Sequence, residues 1–240
     1  VGGLHPVREL LRSSQPLQRI LVADSRGHSA VLDEIVALAE PLGVPLERID
    51  RAELDRRAEG LVHQGVLAEA PAFPYATLDA VLEGIDAEDP ALLVALDGVT
   101  DPHNLGSIAR TAEAVGAHGL VVPARRAAAV TPTVEKAAAG ALAHLPVVQV
   151  TNLVRALGQL GEHGVWSLGL DGDAEVELAE HPLASEPCVL VVGAEGEGLS
   201  RLVRERCDAL ARLPIRGRVG SLNASVAAGV ALYELLRHRR

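Results

Sequence analysis

Residues 187–237, PCVLVVGAEGEGLSRLVRERCDALARLPIRGRVGSLNASVAAGVALYELLR, decide how the rest of the chain is read. Val189–Val192 is an apolar run of strand length between Pro187 and Gly193, as expected of a strand buried on both faces. Gly193, Gly196 and Gly198 then strip side chains from the following loop, so backbone amides and carbonyls can approach a ligand. A helical pattern starts at Leu199. A second unit repeats the order: Ala209–Leu213 is short and mostly apolar, Pro214 ends it, and Gly217 and Gly220 form the next loop. From Leu222 a helix follows, with Leu222, Val226, Val230 and Tyr233 spaced by four, four and three along one apolar face. These two glycine loops are where a cofactor is expected.

A strand, a glycine loop and a helix together invite a dinucleotide-binding reading, but the spacing argues against it. GAEGEG places its glycines as GxxGxG, and the next strand ends in Leu213-Pro214 where a ribose-binding acid belongs.

With 240 residues the chain can hold one large domain or two small ones. No apolar run reaches the roughly 18 residues that span a bilayer, and no signal-type leader is present, so a soluble, cytoplasmic protein is expected. Cys188 and Cys207 are the only cysteines and lack CxxC spacing; they read as reduced core thiols, with no metal site expected. A formal net charge of −10 argues against a polyanion-binding surface over the whole molecule, though a local one remains open. Lys136 is the only lysine, so the basic residues are almost all arginines, which suit bidentate phosphate contacts. The chain begins at Val1 and contains no methionine, so upstream residues are expected, and a basic extension there would change the charge balance.

Along the chain, Gln18–Ala23 reads as a strand, Ser29–Leu42 as a helix, 47–59 as a solvated charged segment and Gly65–Ala68 as a further strand, together a compact α/β domain over 1–75. Proline at 71, 74 and 90 brackets a short helix, Thr77–Glu83, and the acidic stretch 86–89, read as a semi-rigid linker over 76–90. Ala91–Leu96 is another buried strand, feeding the loop DGVTDPHN at 97–104, with Asn104 as the expected N-cap of the next helix. On that helix Arg110 lies off the apolar face. Gly119–Val122, Pro146–Val150 and Val165–Leu170 read as strands, with helices opening at Thr131-Pro132 and spanning Leu153–Leu160. Strands alternating with helices predict a mostly parallel sheet covered on both faces.

Three separated motifs then carry a family resemblance. DGVTDPHNLGSIARTAEAVGA at 97–117, VLVVGAEGEGLS at 189–200 and LPIRGRVGSLNASVAAGVALYE at 213–234 resemble motifs 1, 2 and 3 of the SpoU (TrmH-type) RNA 2′-O-ribose methyltransferases. The resemblance covers 91–240. More loosely, GLHPVRELL at 3–11 and HQGV at 63–66 resemble the L30e-like RNA-binding domain of the branch that methylates a guanosine ribose in 23S ribosomal RNA.

The resemblance implies an α/β, trefoil-knotted (SPOUT-type) methyltransferase domain that binds S-adenosylmethionine, works as a homodimer and acts on RNA. Carried over by motif position, the cofactor would be held by Leu170, Gly172, Gly193, Glu195, Gly196, Leu213, Ile215, Ser221 and Leu222. Asn104, Arg110, Glu195 and Asn223 would be catalytic or substrate-positioning. A guanidinium is a poor proton acceptor, so alignment of the nucleotide is the easier role for Arg110. His103 reads as a loop histidine beside the site, and Asn223 also as an N-cap. Arg201, Arg204, Arg206, Arg216 and Arg218 are either solvated charges or phosphate contacts, and the small residues from Ala224 to Ala231 permit close helix packing, in a dimer or a monomer core. Transfer RNA methylation, a resistance enzyme modifying a ribosomal drug site and a non-catalytic RNA-binding role are the alternatives.

Overall fold

The computed structural model describes residues 1–12, 16–58, 60–86 and 88–239, which form two compact units, Val1–Phe73 and Pro74–Arg240. The first unit is a three-stranded sheet with helices. Its order is β2 (Leu46–Ile49), β1 (Arg19–Ala23), β3 (Val66–Glu69), with β1–β2 parallel and β1–β3 antiparallel. Helices α1 (Leu4–Arg12) and α2 (Ala30–Ala39) bury Leu4, Val7, Leu11, Leu32 and Ile35 against Ile20 and Val22. Ser29 caps α2 by accepting the Leu32 N–H.

The segment 47–59, expected to be solvated, is exposed over most of its described residues, and it also supplies most of β2 and a short helix, α3 (Arg51–Arg57), which the charge pattern did not announce. Asp50 caps α3 and only Leu54 is buried, so one apolar residue in a seven-residue charged helix left no periodicity to read. Glu59, and Ala87 in the acidic stretch 86–89, lie outside the described residues.

The second unit holds a six-stranded, wholly parallel sheet in the order β6 (Val147–Val150), β5 (Gly119–Pro123), β4 (Leu92–Asp97), β8 (Cys188–Gly193), β7 (Trp166–Leu170), β9 (Ala209–Ala211). The central strands β4 and β8 are buried along almost their whole length, as parallel strands covered on both faces must be. The segment read as a linker, 76–90, lies within this unit. Its helix α4 (Leu78–Glu83), capped by Thr77, buries Leu78 and Val81 in the same core as Leu93, Ala95 and Val121. Ala76 bridges to Val148 at the sheet edge.

Helices α5 (Pro102–Ala114), α6 (Pro132–Ala138), α7 (Leu153–Glu162), α8 (Arg201–Arg206) and α9 (Ala224–His238) complete the unit. The start of α5 corrects the expected cap. Asp101 accepts the His103 N–H and Pro102 takes the first helical position, so Asn104 falls inside the first turn. Ala224, Ala228, Ala231, Leu232 and Leu235 of α9 face inward, while Leu222, Val226, Val230 and Tyr233 are 40–54% exposed. Small residues let α9 lie close to α5: a Cβ on Gly229 would stand 3.8 Å from the Thr111 methyl. At the end of α9, Arg239 donates to the carbonyls of Pro90 and Glu186, tying the helix to the starts of β4 and β8.

Candidate active site

The site forms where β4, β7, β8 and β9 end. Past Gly193 the chain closes on itself, Ala194 and Gly198 exchanging backbone hydrogen bonds of 3.0 and 2.9 Å. A Cβ on Gly193 would stand 2.2 Å from the Gly198 carbonyl carbon, and Gly196 and Gly198 have φ of +80° and +70°. At Gly193 any side chain would force backbone to move, and at Gly196 and Gly198 the left-handed backbone favours glycine. Asp97, the last residue of β4, accepts the Ser200 N–H at 2.6 Å and so fixes the start of α8.

Between this loop, the 170–173 turn after β7 and the 213–222 segment after β9 lies a cavity of about 450 Å³. All nine residues named above for the cofactor line it: Leu170, Gly172, Gly193, Glu195, Gly196, Leu213, Ile215, Ser221 and Leu222. Leu170, Leu213, Ile215 and Leu222 supply apolar walls, and the glycine loop supplies bare backbone. Asp171, a lining residue that the sequence did not single out, is nearly buried and forms an ion pair with Arg204, one of the five arginines named near the loops. Burial works to raise the Asp171 pKa, but the Arg204 hydrogen bond, the Asp173 N–H and the Arg204 charge outweigh it and hold the carboxyl below its ordinary range. The signal of their pairing was weak, an acid and an arginine 33 positions apart.

Beside the cavity, three separated motifs meet. Asn223 Nδ2 donates to Asn104 Oδ1 at 3.0 Å and to Glu195 Oε2 at 3.2 Å, and Asn104 Nδ2 lies 3.4 Å from the same Glu195 oxygen. The Asn223 Oδ1 meanwhile accepts the Ser225 N–H and hydroxyl at 2.9 and 2.6 Å and the Val226 N–H at 3.3 Å, capping α9. One amide thus serves helix and site at once. Asn104 is 7% exposed, a buried polar residue whose amide finds its partners among the described residues in Asn223 and Glu195.

Arg110 is not brought to this cluster. Six residues beyond Asn104 it lies roughly 9 Å further along α5 and on another face, exposed and without a hydrogen bond or ion pair among the described residues. His103 is likewise exposed. Of the five arginines near the loops, Arg201, Arg204 and Arg206 pair with Glu205, Asp171 and Asp208. Arg216 and Arg218 are exposed and carry no such pairing among the described residues. Burial, with Asp208 and Asp97 nearby, pushes the Cys207 thiol up to about 12, and burial raises Cys188, so neither is a thiolate near neutral pH. Among the described residues no cluster of three or more metal-ligating side chains occurs, and no helix is long and apolar enough to cross a membrane.

A family model described as the SpoU rRNA Methylase family matches residues 91–233, and one described as RNA 2′-O ribose methyltransferase substrate binding matches residues 1–76. A protein of Pseudomonas syringae named 23S rRNA (guanosine-2′-O-)-methyltransferase RlmB is 46% identical over 243 residues, covering 100% of this chain and 95% of its own. YacO of Bacillus subtilis, assigned to the TrmH family of tRNA/rRNA methyltransferases, is 44% identical with the same coverage. Among solved structures, the SpoU methyltransferase AviRb of Streptomyces viridochromogenes, in complex with AdoMet, is similar over 100% of this chain and 89% of its own, with TM-score 0.64 and 28% identity. An RNA 2′-O ribose methyltransferase aligns with TM-score 0.59 and 25% identity over 100% of this chain and 88% of its own. The α/β fold is therefore that of the SpoU/SPOUT methyltransferases, and the chain belongs to the SpoU rRNA methylase family.

Proposed function

We propose that this protein methylates the ribose 2′-hydroxyl of a guanosine in 23S ribosomal RNA, with S-adenosylmethionine as methyl donor. The observation that carries the reading is the meeting of Asn104, Glu195 and Asn223 at the mouth of a glycine-walled cavity of about 450 Å³. The cavity suits the cofactor. Apolar walls can take an adenine ring, bare backbone can bond its edges, and the carboxylates of Glu195, Glu197 and Asp173 on the lining suit a sulfonium and an ammonium. When bound, the cofactor supplies an electrophilic methyl group.

The protein's own task is then positioning and proton handling. The two asparagine amides hold Glu195 through its Oε2, and Oε1 takes no hydrogen bond among the described residues. That oxygen accepts the 2′-hydroxyl proton and orients the ribose. Arg110, exposed on α5, contacts a phosphate or ribose oxygen of the RNA, and Arg216 and Arg218 bind backbone phosphates. The N-terminal unit, an L30e-like domain, holds the structured part of the substrate; its match to a substrate-binding model supports this. The exposed strip Val226, Val230, Tyr233 on α9 is the surface that a second copy covers in a homodimer.

The test is transfer of labelled methyl from S-adenosylmethionine to unmodified 23S rRNA and, in parallel, to unmodified tRNA, followed by mapping of the modified ribose. Label in 23S rRNA alone is expected. Label in tRNA alone would reassign the substrate, and no label with cofactor bound would leave a non-catalytic RNA-binding protein. Arg110→Ala should abolish transfer with cofactor affinity nearly intact, and sedimentation at micromolar concentration should show a dimer.

A further inference from the structure

At the other end of β7 from the cofactor cavity lies a second cavity, of about 400 Å³. The strand runs from Trp166 to Leu170, so the two sites are separated by roughly 13 Å of extended chain. Its lining includes Gly158 and Gly161 on α7, Glu162, Trp166, Arg206 and Asp208. Trp166 is the only tryptophan in a chain with 2% aromatic residues, and it is 48% exposed. Leaving such a ring in water forgoes one of the largest apolar burials that a side chain offers.

The other walls are built around a guanidinium. Gly158 and Gly161 stand one helical turn apart, and a Cβ on either would sit 3.4 or 3.8 Å from Arg206 Nη2. Arg206 thus lies across this face of α7 at van der Waals distance. Asp208, its partner at 3.7 Å, is itself fixed, accepting the Ser167 N–H at 2.8 Å and hydroxyl at 2.6 Å and donating its own N–H to Ser167 Oγ at 2.9 Å. Ser167 is fully buried. At 3.7 Å the pair is loose, and most of the guanidinium's donors stay available.

An exposed indole beside a guanidinium with free donors, with the Glu162 carboxylate on the lining as well as that of Asp208, matches the chemistry of an unstacked nucleotide. The base stacks on the indole, the phosphate pairs with the arginine, and an exocyclic amino group donates to Glu162. We propose that this cavity docks a single-stranded nucleotide of the substrate RNA, away from the nucleotide that is methylated. The proposal rests on the reading that RNA is the substrate.

Because Trp166 is the only tryptophan, emission excited at wavelengths too long for tyrosine to absorb reports this cavity alone. Titrating the full chain with the RNA transcript that it methylates should quench that emission, saturating at the concentration at which filter binding saturates. Trp166→Ala should raise the KM for RNA about tenfold, the order expected for losing one base–aromatic stack, with kcat and cofactor affinity unchanged. Trp166→Phe should recover most of the loss, and Arg206→Gln should raise KM and flatten its salt dependence. RNA bound and methylated with the emission unchanged, or a Trp166→Ala KM within twofold of wild type, would overturn the pocket. Absence of methyl transfer to any RNA by the wild type would instead overturn the functional reading, and the pocket with it.

Discussion

Asn223 is asked to do two jobs through two ends of one amide, and substitution can separate them. Its Oδ1 caps α9 through the Ser225 and Val226 N–H groups, and its Nδ2 holds Asn104 and Glu195. Serine is as good an N-cap as asparagine but has no amide to reach across to the other two residues. Asn223→Ser should therefore keep the cap and lose both donors, whereas Asn223→Ala loses cap and donors together. The cap is worth about 1 kcal/mol, and for a unit of this size 1 kcal/mol moves the melting temperature by about 2–4 °C. Both variants also leave the Asn104 amide short of a partner, at about 1 kcal/mol or somewhat more. Calorimetry should then place Asn223→Ser about 2–4 °C below wild type, and Asn223→Ala a further 2–4 °C or so, about the same step again, below Asn223→Ser. Methyl transfer should fall about 100-fold in both, the order expected when a positioning contact lets the reacting groups drift by an ångström. Full transfer by Asn223→Ser would show that the donors are dispensable. Equal melting of the two variants would refute the capping role.

Gly193→Ala should abolish cofactor binding, because the new Cβ meets the Gly198 carbonyl carbon at 2.2 Å and backbone must move; equilibrium dialysis with S-adenosylmethionine checks this. Asp171→Asn should weaken cofactor affinity about fivefold, taking about 1 kcal/mol for a partly exposed ion pair with Arg204. Since the Asp171 pKa is lowered, that pair is intact above about pH 4 and is lost only as pH falls through the lowered value, so wild-type affinity should show no Asp171 step between pH 6 and 9. Burial lowers the pKa of His181, whose Nδ1 accepts the Leu183 N–H at 3.2 Å. The folded chain thus resists protonation there: this stability is complete above about pH 6.5 and erodes as pH falls below it. A His181→Gln variant should lose less melting temperature than wild type between pH 7 and 5.5.

Much of this molecule could be read along the chain because parallel strands buried on both faces are continuous apolar runs. Val189–Val192 and Ala91–Leu96 announced β8 and β4 in that way. The glycine spacing at 193–198 and 217–220 likewise marked the cavity, since bare backbone has a sequence signature. Short charged elements carried no such signal: β2 and α3 are as solvated as their charge implies, but their strand and helix left no periodicity to read. Asn104 reads as the cap of α5 in the sequence, and only the His103 N–H bonded to the Asp101 carboxylate placed the cap three residues earlier.

The sequence by itself determined the two-unit α/β organisation, the two glycine loops and the polar residues of three separated motifs. Each rests on local chemistry: strand burial, backbone freedom, or a functional group at a fixed spacing. Tertiary structure alone decided which of those groups meet. Asn104 and Asn223 are 119 positions apart, yet the packing of α9 on α5 brings their amides to 3.0 Å, while Arg110, six residues from Asn104, is turned away. The same packing put Ala224, Ala228 and Ala231, with Leu232 and Leu235, in the core and left Val226, Val230 and Tyr233 outside. Helical periodicity marks faces by hydrophobicity, and close approach of two helices is set by side-chain volume, which the pattern does not weigh.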